Sequence, residues 1–215
     1  MEDNLITLPL EGLTEDTIIK VIGVGGGGCN AVNYMQRQGI KDVSFLVCNT
    51  DRQVLVKSSV TSKLQLGPGL GAGGDPEAAR QYAEESREHI REALNDGTQM
   101  LFITAGMGGG TGTGAAPVLA KIAKEKGCVT VAVVSKPFSY EGKKREENAK
   151  KGIANLSKFV DTLIVIPNDK LLDTLPKNTP MIEALRRADD NLKHAICGIS
   201  DLITVPALIN LDFAD

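Results

Sequence analysis

The sequence predicts an α/β fold, a parallel sheet covered by helices on both faces. Two observations carry that expectation. Five short runs are predominantly apolar rather than alternating, as strands buried on both faces are: Ile18 to Gly23, Val43 to Cys48, Met100 to Thr104, Cys128 to Ser135 and Thr162 to Ile166. Helix-like stretches separate most of these runs, and strands alternating with helices build parallel sheets.

The elements follow in order. Residues 1–17 are polar and irregular and read as a mobile leader. The Ile18 strand empties into Gly25-Gly26-Gly27-Gly28-Cys29-Asn30, and a helix is expected from Ala31 to about Gln38, stopped by Gly39. The Val43 strand ends in Asn49-Thr50-Asp51. A short strand at Leu64 to Leu66 precedes a flexible stretch from Gly67 to Gly74. Asp75 as N-cap and Pro76 at the first helical position start one long helix to about Asn95. The Met100 strand runs into Ala105-Gly106-Met107-Gly108-Gly109-Gly110-Thr111-Gly112-Thr113-Gly114, and a helix leaves it from Ala115 to Lys126. Tyr140 to Lys158 is charged on most faces, and the Thr162 strand empties into Pro167-Asn168-Asp169. A last helix runs from Thr179 or Pro180 to about Leu202, with Pro206 as its stop.

Composition narrows the function classes. The 215 residues carry a formal net charge of −3 and only 4% aromatics, with no Trp, which argues against nucleic acid and against base-stacking platforms. Cys29, Cys48, Cys128 and Cys197 fall in no paired spacing and His occurs twice, so neither a metal cluster nor a disulfide framework is expected. With no signal peptide and no apolar run of spanning length, the expectation is a cytoplasmic protein with no direct membrane insertion.

Right-handed crossovers gather the loops after the strands at one sheet edge, where ligands of open α/β sheets bind. Glycine turns there let a ligand approach the backbone, and a following helix adds its positive end, so both glycine runs suit phosphate. Thr111 and Thr113 place hydroxyls among those amides. Two readings of the nucleotide compete. Gly23 to Gly28 satisfies GxGxxG with Asp51 ending the next strand, the fingerprint of an NAD(P)-binding oxidoreductase domain. That reading leaves the Gly108 run without a role, whereas two glycine loops suit a triphosphate. A Walker A loop is absent, because neither run contains lysine.

The Gly108 to Gly114 segment, GGGTGTG, resembles the signature loop of the tubulin and FtsZ superfamily of GTPases. The first glycine loop, Asn49-Thr50-Asp51, Lys136-Pro137-Phe138 with Glu141 to Arg145, Ile166 to Asp169, and Asn210 to Asp215 are similar to the FtsZ family, bacterial cell-division GTPases. The resemblance implies a Rossmann-like GTP-binding domain over residues 18–178. Residues 179–215 would be a core helix and catalytic loop, and the chain would end before a second domain. It places the phosphates on Gly26, Gly27, Gly28, Cys29 and Asn30 and on Gly108, Gly109, Gly110, Thr111, Gly112, Thr113 and Gly114. Ala72 and Gly73 would sense the γ-phosphate, and Asn49 and Asp51 would lie near the phosphate and ribose. Glu141 and Arg145, which read on sequence alone as a surface i,i+4 pair, would meet ribose and base. Asn168 would add a contact, and Asp189 would accept from the guanine N1–H and exocyclic amine.

Asn210, Asp212 and Asp215 are implied as the catalytic group, two carboxylates able to orient an attacking water. A last helix of about 22 residues would span roughly 33 Å, too far for them to reach the chain's own γ-phosphate. Hydrolysis would therefore occur between subunits of a head-to-tail filament. The resemblance also implies GTP or GDP as ligand and Mg²⁺ held through the phosphates. Membrane-tethering and regulatory division proteins would bind a tail beyond this sequence, and the chain alone would bind nucleotide with little turnover. Three departures from the family pattern stand out: Cys29 in the phosphate loop, Leu185 where an aromatic often stacks on the base, and a short Gly67 to Gly74 loop.

Overall fold

The computed structural model describes residues 19–40, 43–176 and 179–204. Six strands form one parallel sheet: β1 (Ile19–Val24), β2 (Ser44–Asn49), β3 (Ser62–Gln65), β4 (Met100–Gly106), β5 (Val129–Lys136) and β6 (Thr162–Pro167). Their spatial order is β3-β2-β1-β4-β5-β6. In register, Val24 at the end of β1 stands opposite Ala105 at the end of β4. The strand order reverses direction between β1 and β4, which opens a crevice beyond their carboxyl ends.

The predominantly apolar strands do what their pattern requires. On β1 the side chains of Ile22 and Val24 enter one core cluster, and Ile19 and Val21 enter the other. The first cluster lies under α3 (Pro76–Glu85), α4 (Arg87–Ala93), α5 (Thr111–Glu125) and α6 (Lys143–Leu156). The second lies under α1 (Gly25–Arg37), α2 (Arg52–Lys57) and α8 (Met181–Thr204). The remaining helix, α7 (Asn168–Thr174), follows β6.

Two expectations need correcting. The glycine run after β1 is not a loop: α1 begins at Gly25, although each glycine costs a helix about 1 kcal/mol against alanine. Packing overrides that propensity, because a methyl on Gly28 would stand 2.3 Å from the Thr104 carbonyl oxygen. The helix expected from Asp75 to Asn95 is two helices that meet at Ser86, whose φ is −91° and ψ 13°. The Ser86 hydroxyl turns to accept from the Gly67 N–H at 3.4 Å, the local competition for backbone groups that makes serine a poor mid-helix residue. α2 and α7 were not foreseen; each is too short to show helical periodicity. The leader and the Asn210 to Asp215 motif lie outside the described residues.

One charge is buried beside the lower end of the sheet. Lys20, 3% exposed, donates from Nζ to Asp96 Oδ2 at 2.5 Å and to the Ala93 carbonyl at 2.5 Å. Asp96 also accepts from the Thr98 hydroxyl at 2.5 Å. Burial pushes the Asp96 carboxyl up, but the hydrogen bonds from Lys20 and Thr98 outweigh it and hold the group below its ordinary value. A depressed carboxylate contributes stability above its unfolded pKa and loses it as pH falls through the folded one. Asp96→Ala leaves a buried ammonium unpaired and is expected to lower unfolding stability by about 3–5 kcal/mol in urea titration at pH 7. The double change Lys20→Met, Asp96→Leu should cost clearly less.

Candidate functional site

The crevice at the strand-order reversal is a cleft of about 350 Å³. Its floor comes from the N-termini of α1 and α5, supplied by Gly26, Gly27 and Gly109 to Gly112. These two helix ends are in direct contact: a methyl on Gly25, whose φ is +73°, would lie 2.7 Å from the Gly112 nitrogen. Gly108 has φ +108°, and a methyl there would lie 2.8 Å from the Arg145 carbonyl oxygen. Neither helix has a side-chain cap or an acidic residue in its first turn. Their first N–H groups have no intrahelical partner, so two positive helix ends converge on one place and repel no anion there. Neighbouring helices are treated differently: Asp51 caps α2 at the Gln53 N–H, 2.8 Å, and Asp75 caps α3 at the Glu77 N–H, 2.9 Å.

The remaining wall is polar. Asn30, Glu141, Arg145, Asn168 and Asp189 all face the cleft. Glu141 and Arg145 form the i,i+4 ion pair that spacing suggests, and they line the cleft as well. Glu141 also accepts from the Phe138 N–H at 2.9 Å, which fixes the turn before α6. Asn168 is 8% exposed and its side-chain oxygen has no hydrogen-bond partner among the described residues. A buried acceptor without a donor is costly, and this one lines a cleft that a donor-bearing ligand could enter.

Asp189 arrives on α8, which packs against α1. Burial first, and then the neighbouring Asp190 carboxylate, push its carboxyl up from 3.8 to about 6, with Arg37 opposing. Asp190 is held away by Tyr34 of α1, whose hydroxyl donates to it at 2.6 Å, and Lys193 sits 5.9 Å over the Tyr34 ring. α8 thus carries a desolvated carboxylate into the cleft and braces itself on the helix whose other end helps floor it.

Several residues singled out from sequence are placed beside the cleft rather than in its lining. Cys29 has a buried thiol with the Gly23 and Cys48 carbonyls each 3.6 Å away, and burial pushes it up to about 12, so it stays a neutral thiol. Asn49 donates to that sulfur at 3.7 Å and accepts from the Asp51 N–H at 3.1 Å. Thr113 accepts the Gly108 N–H at 2.8 Å and so closes the signature turn, while Thr111 lines the cleft and bonds the Thr50 hydroxyl at 2.7 Å. Gly28 and Gly114 serve close packing, Gly114 against the Pro76 carbonyl oxygen, 1.9 Å from a methyl placed there. Ala72 and Gly73 belong to a segment held by Gly71 N–H to Thr50 O, 2.8 Å, and Asp75 N–H to Ala72 O, 2.9 Å. Ala72 approaches Gly110, 3.1 Å from a methyl there. The Leu185 side chain and the whole Asn210, Asp212 and Asp215 group fall outside what the structure describes.

Sequence reasoning missed Ser135, Ala188 and Leu192, which also line the cleft, and quoted Pro137 only as part of the Lys136-Pro137-Phe138 motif without a site role. Ser135 and Pro137 lie at the carboxyl end of β5, where the edge rule could have found them. Ala188 and Leu192 are ordinary helix residues with no such signal.

Comparison with known proteins decides the family. Residues 18–176 match the model described as the Tubulin/FtsZ family, GTPase domain. The chain belongs to the tubulin/FtsZ family. An FtsZ dimer from M. jannaschii is 46% identical over 91% of this chain, with a TM-score of 0.85. A W319Y mutant of M. jannaschii FtsZ is 45% identical over 91%, with a TM-score of 0.84. CetZ2 from Haloferax volcanii, in a GTPgS-bound protofilament, shares the fold at 23% identity over 88% of the chain, TM-score 0.77. The chain spans 58%, 60% and 60% of those three chains. The NAD(P) alternative finds no support: both glycine runs floor a single cleft, and Asp51, its ribose acid, caps α2.

A raised carboxyl pKa means that the ionised form costs stability, by an amount that grows as pH rises from the unfolded value of 3.8 and levels off above about 6. Taken whole, the shift corresponds to roughly 3 kcal/mol; Asp189 keeps some exposure, and solvent screening reduces that figure. Asp189→Asn is therefore expected to stabilise the nucleotide-free protein by about 1–2 kcal/mol at pH 7.5. Urea midpoints at pH 7.5 and pH 4 test this, since the gain should shrink at the lower pH.

Proposed function

We propose that this chain binds GTP and GDP in the switch-point cleft and forms the nucleotide-binding part of a filament-forming cell-division GTPase. The observation that carries the reading is the meeting of two uncapped helix N-termini beside a desolvated carboxylate. Family membership supports GTPase activity in general. Phosphate oxygens would accept from the first N–H groups of α1 and α5, with the Thr111 hydroxyl alongside. Mg²⁺ would be held by the phosphates and would neutralise their charge; among the described residues no group of three or more His, Cys, Asp or Glu converges to hold a metal.

Base choice follows from Asp189. A carboxylate accepts two donors, and guanine offers N1–H and an exocyclic amine, whereas adenine has no N1 donor. The unpartnered Asn168 oxygen, with Glu141 and Arg145, would take ribose or base contacts. Cutting the γ-phosphate requires a water-orienting group, and in this reading the carboxylates of the described lining, Glu141 and Asp189, are engaged by ribose and base. We assign it to Asn210, Asp212 and Asp215 of the next subunit, so that assembly switches on hydrolysis. An isolated chain would bind nucleotide and turn it over little. Self-association is consistent with the dimer formed by the M. jannaschii FtsZ relative. A cytoplasmic location at the division site, and membrane-tethering or regulatory partners reached through a tail, complete the reading.

Three measurements bear on it. Asp189→Asn should weaken GDP binding roughly a hundredfold and improve xanthosine diphosphate, because each lost hydrogen bond to a charged group is worth about 1.5–3 kcal/mol. Calorimetric titration with both nucleotides decides; equal GDP affinity in wild type and variant would remove Asp189 from the site. Binding of GDP to the wild type should also weaken as pH falls through about 6, where the Asp189 carboxylate protonates and loses an acceptor. In the full-length assembled protein, Asp212→Ala should abolish hydrolysis and leave GDP binding intact. A specific rate independent of protein concentration and indifferent to that change would sink the intersubunit mechanism.

A further inference from the structure

A second and larger cleft, about 560 Å³, shares no residue with the nucleotide cleft. The two divide the start of α5 between them: Thr111 and Gly112 line the first, Thr113 and Gly114 the second. Its walls are α3 and α6. Each wall touches α5 through a glycine, since a methyl on Gly114 would meet the Pro76 carbonyl oxygen at 1.9 Å and one on Gly152 the Thr113 methyl at 2.5 Å. Beside those contacts lies a cleft with apolar surface from Pro117, Val118 and Phe159.

Its charges do not balance locally. The acids on the α3 wall are already engaged: Asp75 caps the helix, Glu77 pairs with Arg80 at 2.5 Å, and Glu84 pairs with Arg87 at 3.2 Å. On the floor and the opposite wall, Lys121 and Lys151 make no ion pair or hydrogen bond among the described residues, and Lys158 donates only to the Asn155 side-chain oxygen at 3.2 Å. Ammonium groups without counter-ions beside an apolar floor suit an anion that also has an apolar body. The volume falls within the range of about 300–1,000 Å³ usual for small-molecule sites.

We propose that this cleft binds a small amphipathic organic anion, an aromatic or branched aliphatic body with one acidic group, and that its occupant tunes the nucleotide site. The acidic group pairs with Lys121 and Lys151, and the body covers Pro117, Val118 and Phe159. The route to the nucleotide is short. Thr113, on the cleft, accepts the Gly108 N–H at 2.8 Å and so holds the signature turn. Asp75, also on the cleft, binds Ala72 O through its N–H at 2.9 Å, and its nitrogen would stand 3.0 Å from a methyl on Gly110. An occupant wedged between α3 and α6 bears on both contacts.

The coupling half of this proposal rests on the nucleotide reading; the binding half does not. The probe is anilinonaphthalenesulfonate, an aromatic sulfonate that fluoresces when removed from water, titrated into the chain with and without GDP. The double change Lys121→Glu, Lys151→Glu should weaken its binding roughly tenfold or more, and Asn155→Trp, which fills the cleft, should do likewise. The uncharged parent amine should be insensitive to the lysine change. Saturating probe should alter the release rate of a fluorescent GDP analogue at least about twofold in wild type and not in the variants. Unchanged probe affinity in both variants, with circular dichroism showing them folded, overturns the site. Binding that appears only with rising protein concentration assigns the cleft to a second copy of the chain and overturns the small-molecule occupant. Probe binding without any change in GDP release overturns the coupling, and the probe titration still decides the cleft if no guanine nucleotide binds.

Discussion

Two helix N-termini meet where the strand order reverses, and the nucleotide site depends on that contact. α1 and α5 leave adjacent strands, β1 and β4, and touch so closely that Gly25 and Gly112 have no room for side chains. Helix ends of like polarity brought together without caps repel each other weakly and leave several N–H groups unsatisfied. The protein tolerates this arrangement because the sheet beneath is buried on both faces and fixes the strand ends in register. A polyphosphate would relieve both costs at once.

The same tension recurs at Asp189. Its neighbours on α8 and α1 satisfy one another, Asp190 through Tyr34, while Asp189 itself is left desolvated and next to a like charge. Asn168 repeats the pattern with a buried oxygen lacking a donor among the described residues. Such groups oppose folding and have a use only if a ligand completes them. By contrast Asn49, Asp51 and Thr113, equally polar, are spent on internal hydrogen bonds. A cleft in this fold is therefore defined by which polar groups the fold declines to satisfy.

The parallel sheet was legible because strands buried on both faces leave an apolar signature that needs no partner to be read. All five of the apolar runs begin and end within about two residues of the strands they form. The short helices α2 and α7 left no such signature, and the break at Ser86 depends on a hydrogen bond from Gly67, distant in sequence. At the cleft, glycine spacing pointed to the floor, and the family resemblance supplied Glu141, Arg145, Asn168 and Asp189. Ala188 and Leu192 could not be foreseen, since nothing in a residue type says which face of a helix will meet a ligand. The second cleft was wholly invisible, being a gap between elements rather than a motif.

The sequence by itself determined the α/β class, both glycine turns and the membership that the family match then showed. These are properties of local pattern, carried by neighbours along the chain. Tertiary structure alone decided that the first glycine run is helix, that Cys29 and Thr113 turn away from the cleft lining, and that the Asp189 carboxyl rises to about 6. Most of this is set by what approaches from elsewhere in the chain: a carbonyl from β4 against Gly28, an amide from β2 on the Cys29 sulfur, and the burial of Asp189, which raises its carboxyl more than its chain neighbour Asp190 does. Burial and long-range hydrogen bonding act through space, and the order of residues does not record them.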